Sequence, residues 1–145
     1  MSFRYLIPTA ICLLGAVAAA ASGDPLYFDA DPSTSPIDGG AVAWNDANWK
    51  ADPAGTGGVA WANGASPRFE PIAGNAGPTT ITISGTVTTG FGAVRFNGPG
   101  YTITGGTLDT DGTWFYMNAP ATVNSQLKTL MVYYDSELTI GGGGT

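Results

Sequence analysis

From residue 79 onward, apolar and polar residues alternate in short runs, as they do in β-strands that bury one face. A first set of runs carries a repeated Thr-Ile or Thr-Val pair, which lies at 82–83, 102–103, 122–123 and 139–140. A second set, rich in Val, Phe and Tyr, falls between them at 94–96, 115–117 and 132–134. Within each set the spacing is about 20 residues. The pattern therefore predicts two interleaved series of short strands.

Alternation also predicts which side chains of these strands are buried, because neighbouring residues of a strand point to opposite faces. In the first set we expect the apolar residues to face inward: Ile81, Ile83, Tyr101, Ile103, Ala121, Val123, Leu138 and Ile140. The Thr residues between them face outward. In the second set, Arg95, Tyr116 and Tyr133 face outward, and the residues on either side of them face inward: Val94, Phe96, Phe115, Met117, Val132 and Tyr134.

A regular period of about 20 residues is typical of a β-solenoid in which each coil carries two strands. An antiparallel meander or sandwich would also alternate, but it has no reason to repeat at this spacing. We therefore predict an all-β fold with β-solenoid coils over residues 79–145. Gly residues between the runs suit the corners of such coils.

Residues 22–78 follow a different pattern, with many Pro, Gly and Asn turns and no helical spacing of apolar residues. Trp44, Trp49 and Trp61 lie here. Large rings in a loop-rich segment are usually buried anchors, so we predict an irregular, Trp-rich N-terminal cap. The alternative is that the rings form an exposed platform on which sugars stack.

Residues 1–21 have the form of a secretory signal peptide. Arg4 supplies a positive start, an apolar run covers residues 6–17, and four Ala residues at 18–21 provide a cleavage site. The run is shorter than the ~20 residues that a transmembrane helix needs. The single Cys of the chain, Cys12, lies in this segment. We predict export, and a secreted or bacterial cell-surface location.

The amino-acid composition limits the kinds of binding and catalysis that can be expected of the chain. The chain has 11 Asp and Glu against 5 Lys and Arg, a net charge of −6 and no His. Without a basic cluster, binding to nucleic acid is not expected. The lack of His excludes the usual Ser-His-Asp catalytic arrangement. Removal of the predicted signal peptide would also remove Cys12, so catalysis by a thiol is not expected.

Several phrases resemble the start of bacterial proteins that carry autotransporter-associated β-strand repeats. They are Trp-Asn at 44–45, Asn-Trp at 48–49, Trp-Ala-Asn-Gly at 61–64, Arg-Phe at 68–69, Thr-Ile-Thr-Ile at 80–83, Ala-Val-Arg-Phe-Asn-Gly at 93–98 and Tyr-Thr-Ile-Thr-Gly-Gly-Thr-Leu at 101–108. The resemblance implies a right-handed parallel β-helix in a large secreted or surface-exposed passenger. Many members of that family continue into an outer-membrane β-barrel. This sequence ends at four Gly residues, 141–144, followed by Thr145, so we expect a truncated passenger, with an outer-membrane anchor only if such a barrel follows.

Two acidic segments partly match the pattern of a calcium-binding loop. The segment at 29–35 lacks the Gly and the acidic last ligand of a calcium loop, and the Asp-Thr-Asp-Gly segment at 109–112 is better explained as a turn. An enzyme that cleaves polysaccharides would need an acidic residue near Arg95, and none shares its predicted column. We therefore predict no catalytic residue, no metal site and no cofactor.

The sequence thus predicts an exported, non-enzymatic surface or extracellular protein with a structural or adhesive role. The alternatives are a carbohydrate-binding module and a β-helical enzyme that cleaves polysaccharides, the latter dependent on Arg95 and Asp111. Expected partners are a cell-surface glycan and a second copy of the chain at the open solenoid end. The candidate glycan contacts are Trp44, Trp49, Trp61, Tyr116 and Tyr133.

Overall fold

The computed structural model describes residues 23–34, 37–73, 78–90, 92–128, 131–134 and 136–141. Nearly all of the regular structure within them is β-strand. The strands are β1 (Pro25–Phe28), β2 (Ala41–Ala43), β3 (Trp49–Lys50), β4 (Ser66–Phe69), β5 (Thr79–Thr88), β6 (Val94–Phe96), β7 (Tyr101–Asp109), β8 (Trp114–Met117), β9 (Ala121–Lys128), β10 (Met131–Tyr134) and β11 (Leu138–Ile140). The predicted signal peptide, residues 1–21, lies outside the described residues.

These strands form two sheets. The six-stranded sheet has the order β10-β8-β6-β4-β1-β3, and the five-stranded sheet has the order β11-β9-β7-β5-β2. Every pairing is parallel except that of β1 with β3, which is antiparallel. From β4 to β11, successive strands of the chain alternate between the two sheets. Strands that are neighbours in a sheet are therefore two elements apart in sequence.

The predicted pairing of the Thr-rich strands is partly confirmed. Ile103 pairs with Val123, and Val123 pairs with Ile140, as expected. In contrast, Ile103 pairs with Ile81 rather than with Ile83, so β5 is shifted by two residues from the predicted register. The outward direction of the Thr residues is unaffected, because a shift of two residues leaves each side chain on the same face.

The core lies between the two sheets and is largely aromatic. The rings of Phe69 and Phe96 stack with their centroids 4.6 Å apart, and Phe115 continues the stack at 6.3 Å from Phe96. This core also contains Ile81, Ile103 and Val123. All three are essentially inaccessible to solvent, as predicted. Ile140, in contrast, is half-exposed on β11.

Tyr101 ties the two sheets together. Its side chain is 1% exposed, and its hydroxyl donates a 2.6 Å hydrogen bond to the carbonyl oxygen of Glu70, at the end of β4. Burial, with added repulsion from Glu70 and Asp29, raises the pKa of the Tyr101 phenol. The hydroxyl is therefore a fixed, neutral donor in this part of the core.

The predicted fold, a right-handed parallel β-helix behind an irregular cap, is wrong. The chain forms two mostly parallel sheets with almost no helix, and β1 to β4, inside the predicted cap, supply strands to both. β2 pairs in parallel with β5, and β4 lies between β1 and β6. The period of about 20 residues is accounted for by parallel pairing of alternate strands. It does not by itself specify the predicted coils or a separate cap.

Across the described part of the chain, no helix has the length and apolar character required to cross a bilayer.

Candidate functional site

The outer face of the six-stranded sheet carries one row of long side chains that crosses five neighbouring strands. The register places these residues side by side: Tyr27, Arg68, Arg95, Tyr116 and Tyr133. Neighbouring strands in a sheet lie about 4.8 Å apart, so the row is a closely spaced line perpendicular to the strands. We refer to these five residues as the arginine–tyrosine row.

The row faces outward because its members alternate with buried residues along each strand. On β6, Arg95 stands between Val94 and Phe96, both of which have no exposed surface. On β8, Tyr116 stands between the equally buried Phe115 and Met117. The apolar core therefore fixes the direction of the row, and the row itself remains at the surface.

Arg68 and Arg95 pair directly across β4 and β6. Like charges placed opposite each other in a sheet destabilise it. Burial lowers the pKa of Arg68, and the charge of Arg95 lowers it further, against smaller opposing effects of Tyr27 and Glu70. The two guanidinium groups thus share a strongly cationic and partly desolvated patch.

Neither arginine has a carboxylate partner within ion-pair distance in the part of the chain that the structure describes. Arg68 donates one long hydrogen bond, 3.4 Å, from Nη2 to the carbonyl oxygen of Gly92. The Nε atom of Arg95 is buried without a hydrogen-bond partner. Glu70, which directly follows β4, accepts a 2.7 Å hydrogen bond from the side-chain amide of Asn97. Most of the donors of the arginine pair are therefore uncommitted.

The aromatic half of the row adjoins the arginines. The guanidinium carbon of Arg95 lies 4.4 Å from the centroid of the Tyr116 ring, a cation–π contact. The Tyr116 and Tyr133 rings are 5.6 Å apart and inclined by 45°. Tyr133 is 53% exposed, and Trp114, on the same face of β8 as Tyr116, is 44% exposed. Large exposed rings on one sheet face provide an apolar platform at the surface.

The structure places the five predicted glycan contacts in different surroundings, some at the surface and some in the core. Tyr116 and Tyr133 lie on the arginine–tyrosine row. Trp44 and Trp49 are completely buried and offer no face to an external ligand, because they pack against Phe69 in the core. These two positions are corrected to buried anchors, the other interpretation of the sequence.

Trp61 is intermediate between these two groups. It is partly buried, and its ring lies edge-on to that of Trp44, at 5.2 Å between centroids. Its indole nitrogen donates a 3.1 Å hydrogen bond to Asn63 Oδ1. Trp61 therefore completes the tryptophan cluster and does not belong to the row.

Sequence reasoning missed Tyr27, Arg68 and Trp114. The first two lie on strands of four residues, too short to display alternation. One sequence signal was present, because the Arg-Phe pair occurs at 68–69 and again at 95–96. In the structure Phe69 pairs with Phe96 just as Arg68 pairs with Arg95.

The acidic segment that begins at Asp29 contacts a cation that the chain itself supplies. The Lys50 ammonium group lies 2.5 Å from Asp29 Oδ2 and donates a 2.7 Å hydrogen bond to the carbonyl oxygen of Thr34. Among the described residues, no group of three or more potential metal ligands of the His, Cys, Asp and Glu types was found.

The other acidic segment forms a turn between β7 and β8. Asp111 has a positive φ of 47°, and its backbone N–H donates to Asp109 Oδ1 at 3.1 Å. Asp109 also pairs with Lys128 at 2.8 Å. The described contacts of Arg95 are to Tyr116 and not to Asp111, so the structure does not bring together the two residues proposed for an enzyme.

A shallow open groove of about 260 Å³ lies on the other sheet. Its lining includes Thr102, Thr122 and Thr139, together with Glu137. The groove carries no cation, unlike the row.

No family model, no curated protein and no solved structure matches this chain. The resemblance to autotransporter-associated repeat proteins therefore remains a prediction from the sequence.

Proposed function

We propose that the protein is an exported, non-enzymatic surface or extracellular protein with an adhesive role, and that the arginine–tyrosine row is the surface through which it contacts glycans. One observation carries the proposal: a row of rings and uncommitted guanidinium groups stands at the surface of a sheet whose other face is a rigid aromatic core. Glycan-binding surfaces combine these two elements, since sugars present apolar ring faces and many hydrogen-bonding groups.

Support for export comes from the sequence. The segment at 1–21 has a positive start, an apolar run and a small-residue end, and residues 22–145 contain no Cys. A place in an autotransporter-like passenger is part of the same proposal, on the resemblance of residues 44–108. Outer-membrane association would then depend on a barrel beyond Thr145.

Support for a non-enzymatic role comes from the chemistry of the row. Its members are two guanidinium groups and three phenols, and it includes no carboxylate or imidazole. General acid–base catalysis needs a group whose pKa lies near the working pH, placed within hydrogen-bond reach of the substrate. The row therefore lacks the His, Asp and Glu side chains that most often serve as general acids and bases.

Export is tested by expressing the full chain in a bacterium and sequencing the N-terminus of the product. We expect processing after Ala21 and recovery in the periplasm, the medium or the cell surface. An unprocessed chain in the cytoplasm would contradict the proposal.

Glycan contact is tested with beads that carry the protein and a panel of immobilised polysaccharides. Tyr133→Ala removes an exposed ring, and we expect about 2- to 10-fold weaker binding, on the usual strength of one aromatic contact, ~0.5–1.5 kcal/mol. Thr139→Ala, an exposed change on the other sheet, is the matched control. Binding that is equally weak in both variants, or release of cleaved sugars from any polysaccharide, would contradict an adhesive role for the row.

A further inference from the structure

The four cationic residues that the structure describes fall into two groups. Lys50 pairs with Asp29, and Lys128 pairs with Asp109. Within the described residues, Arg68 and Arg95 form no such pair, although acidic residues outnumber basic ones by 11 to 5. Within the described residues, both lysines therefore have a carboxylate partner, and the two adjacent arginines do not.

An external anion would relieve the electrostatics of this patch. Arg68 and Arg95 face each other across one strand spacing, and part of the patch is already desolvated. Hydrogen bonds between a guanidinium and a carboxylate are roughly twice as strong as neutral ones, and the planar fork of Arg matches a carboxylate with two parallel bonds. A carboxylate at this point would also accept hydrogen bonds from Arg68, whose described hydrogen bond from Nη2 is long, at 3.4 Å.

The line of the row indicates the form of the ligand. The arginine pair continues into Tyr116 and Tyr133 at the same strand spacing. A linear polymer that crosses the strands would place successive units over successive row positions. A uronate unit carries its carboxylate directly on the sugar ring, so one polymer offers anions to the arginines and ring faces to the tyrosines.

We propose that the arginine–tyrosine row binds acidic polysaccharides through their uronate carboxylates, with Arg68 and Arg95 as the residues that recognise the anion. This inference rests on the proposed function and names the ligand class of the same surface. It distinguishes the row from a neutral sugar platform, for which the tyrosines alone would suffice.

The test measures equilibrium binding of the processed chain to polygalacturonate and to its fully methyl-esterified form, which has the same rings without carboxylates. We expect tight binding only to the free acid. Arg68→Gln and Arg95→Gln should each weaken it about 10- to 100-fold, the usual effect of losing a hydrogen bond to a charged group. Affinity should also fall as salt concentration rises.

Lys128→Gln is the matched control, since it removes the same charge from an exposed site that lies on the other sheet. It should leave binding unchanged. Unfolding midpoints of all three variants establish that each remains folded, and Arg68→Gln serves alone if Arg95→Gln does not fold.

The outcomes separate the inference from the proposed function. Equal binding of both polymers, with a loss on Tyr133→Ala only, would overturn the inference and leave the glycan-binding proposal standing. Preference for dextran sulfate over polygalacturonate would overturn the assignment to carboxylates. Absence of binding to every polysaccharide tested would overturn both.

Discussion

The buried ion pair of Lys50 and Asp29 provides the sharpest test of how the N-terminal strands are held. Lys50 ends β3 and is 1% exposed, and Asp29 follows β1 and is fully buried. Asp29 Oδ1 also accepts hydrogen bonds from the backbone N–H groups of Asp31 at 3.1 Å and Asp38 at 3.0 Å. With the bond from Lys50 to the Thr34 carbonyl, the pair holds residues 29–34 and Asp38 against the sheet.

Removal of one partner leaves the other charge buried and uncompensated. The Lys50 ammonium group is the counter-charge of Asp29 Oδ2 in the described structure. Breaking a buried pair in this way typically costs about 3–5 kcal/mol. We expect a loss of that size in the free energy of unfolding for Asp29→Asn and for Lys50→Met.

The double variant, with both changes, should lose less than either single variant, because no unpaired charge remains in the core. Denaturant unfolding, followed by tryptophan fluorescence with m-values compared, measures all three. Lys128→Gln, which breaks the exposed pair with Asp109, is the control and should have little effect. The reasoning would be refuted by single variants no less stable than this control, or by strictly additive losses in the double variant.

Two further predictions concern local geometry. Gly90 is buried, and a Cβ there would overlap the carbonyl oxygen of Gly64, so Gly90→Ala should lower the free energy of unfolding by about 1–3 kcal/mol. Gly55→Ala is the control, because the new Cβ would lie 3.4 Å from Asp52, and it should leave the free energy of unfolding nearly unchanged. Denaturant unfolding measures both variants. The hydrogen bond from Lys128 holds the pKa of the Asp109 carboxyl below its ordinary value of 3.8. An NMR titration should therefore give a pKa below 3.8 for Asp109, and Lys128→Gln should raise that pKa. Since that pKa is depressed in the folded state, its contribution to stability is present above pH 3.8 and is lost as pH falls through the folded-state pKa; an unshifted titration would contradict the pairing.

The register of the five-stranded sheet shows what alternation can and cannot predict. Alternation correctly identified Ile81, Ile103 and Val123 as buried. It could not choose between Ile81 and Ile83 as the partner of Ile103, because a shift of two residues keeps the same faces. The backbone ends of the strands decide it: the N–H of Thr79 donates 2.9 Å to the carbonyl of Gly100, which aligns Thr79 with Tyr101.

The N-terminal strands could not be predicted for a different reason. β1 to β4 have two to four residues each, too few to distinguish alternation from chance. They are held by long-range contacts that a local pattern does not contain, such as the pairing of β2 with β5 and of β4 with β6. The irregular cap was therefore a wrong prediction that followed from short strands.

The candidate site was predicted in part. Alternation placed Arg95, Tyr116 and Tyr133 on an outer face, and the structure shows them as neighbours on one row. Arg68 and Tyr27 could not be assigned to the row from the sequence, because β1 and β4 were not predicted as strands. The tryptophans were ambiguous in sequence, since a buried anchor and an exposed platform have the same composition.

The most direct test of the account is an NMR titration of the isotopically labelled, processed chain with short oligogalacturonates. The account predicts that amide shifts will be concentrated at Arg68, Arg95, Tyr116 and their neighbours on the outer face of the six-stranded sheet. The Thr-rich face of the other sheet, including Thr122, should remain unperturbed. Shifts confined to that Thr-rich face, or none at saturating oligomer, would contradict the central claim that the arginine–tyrosine row is the binding surface.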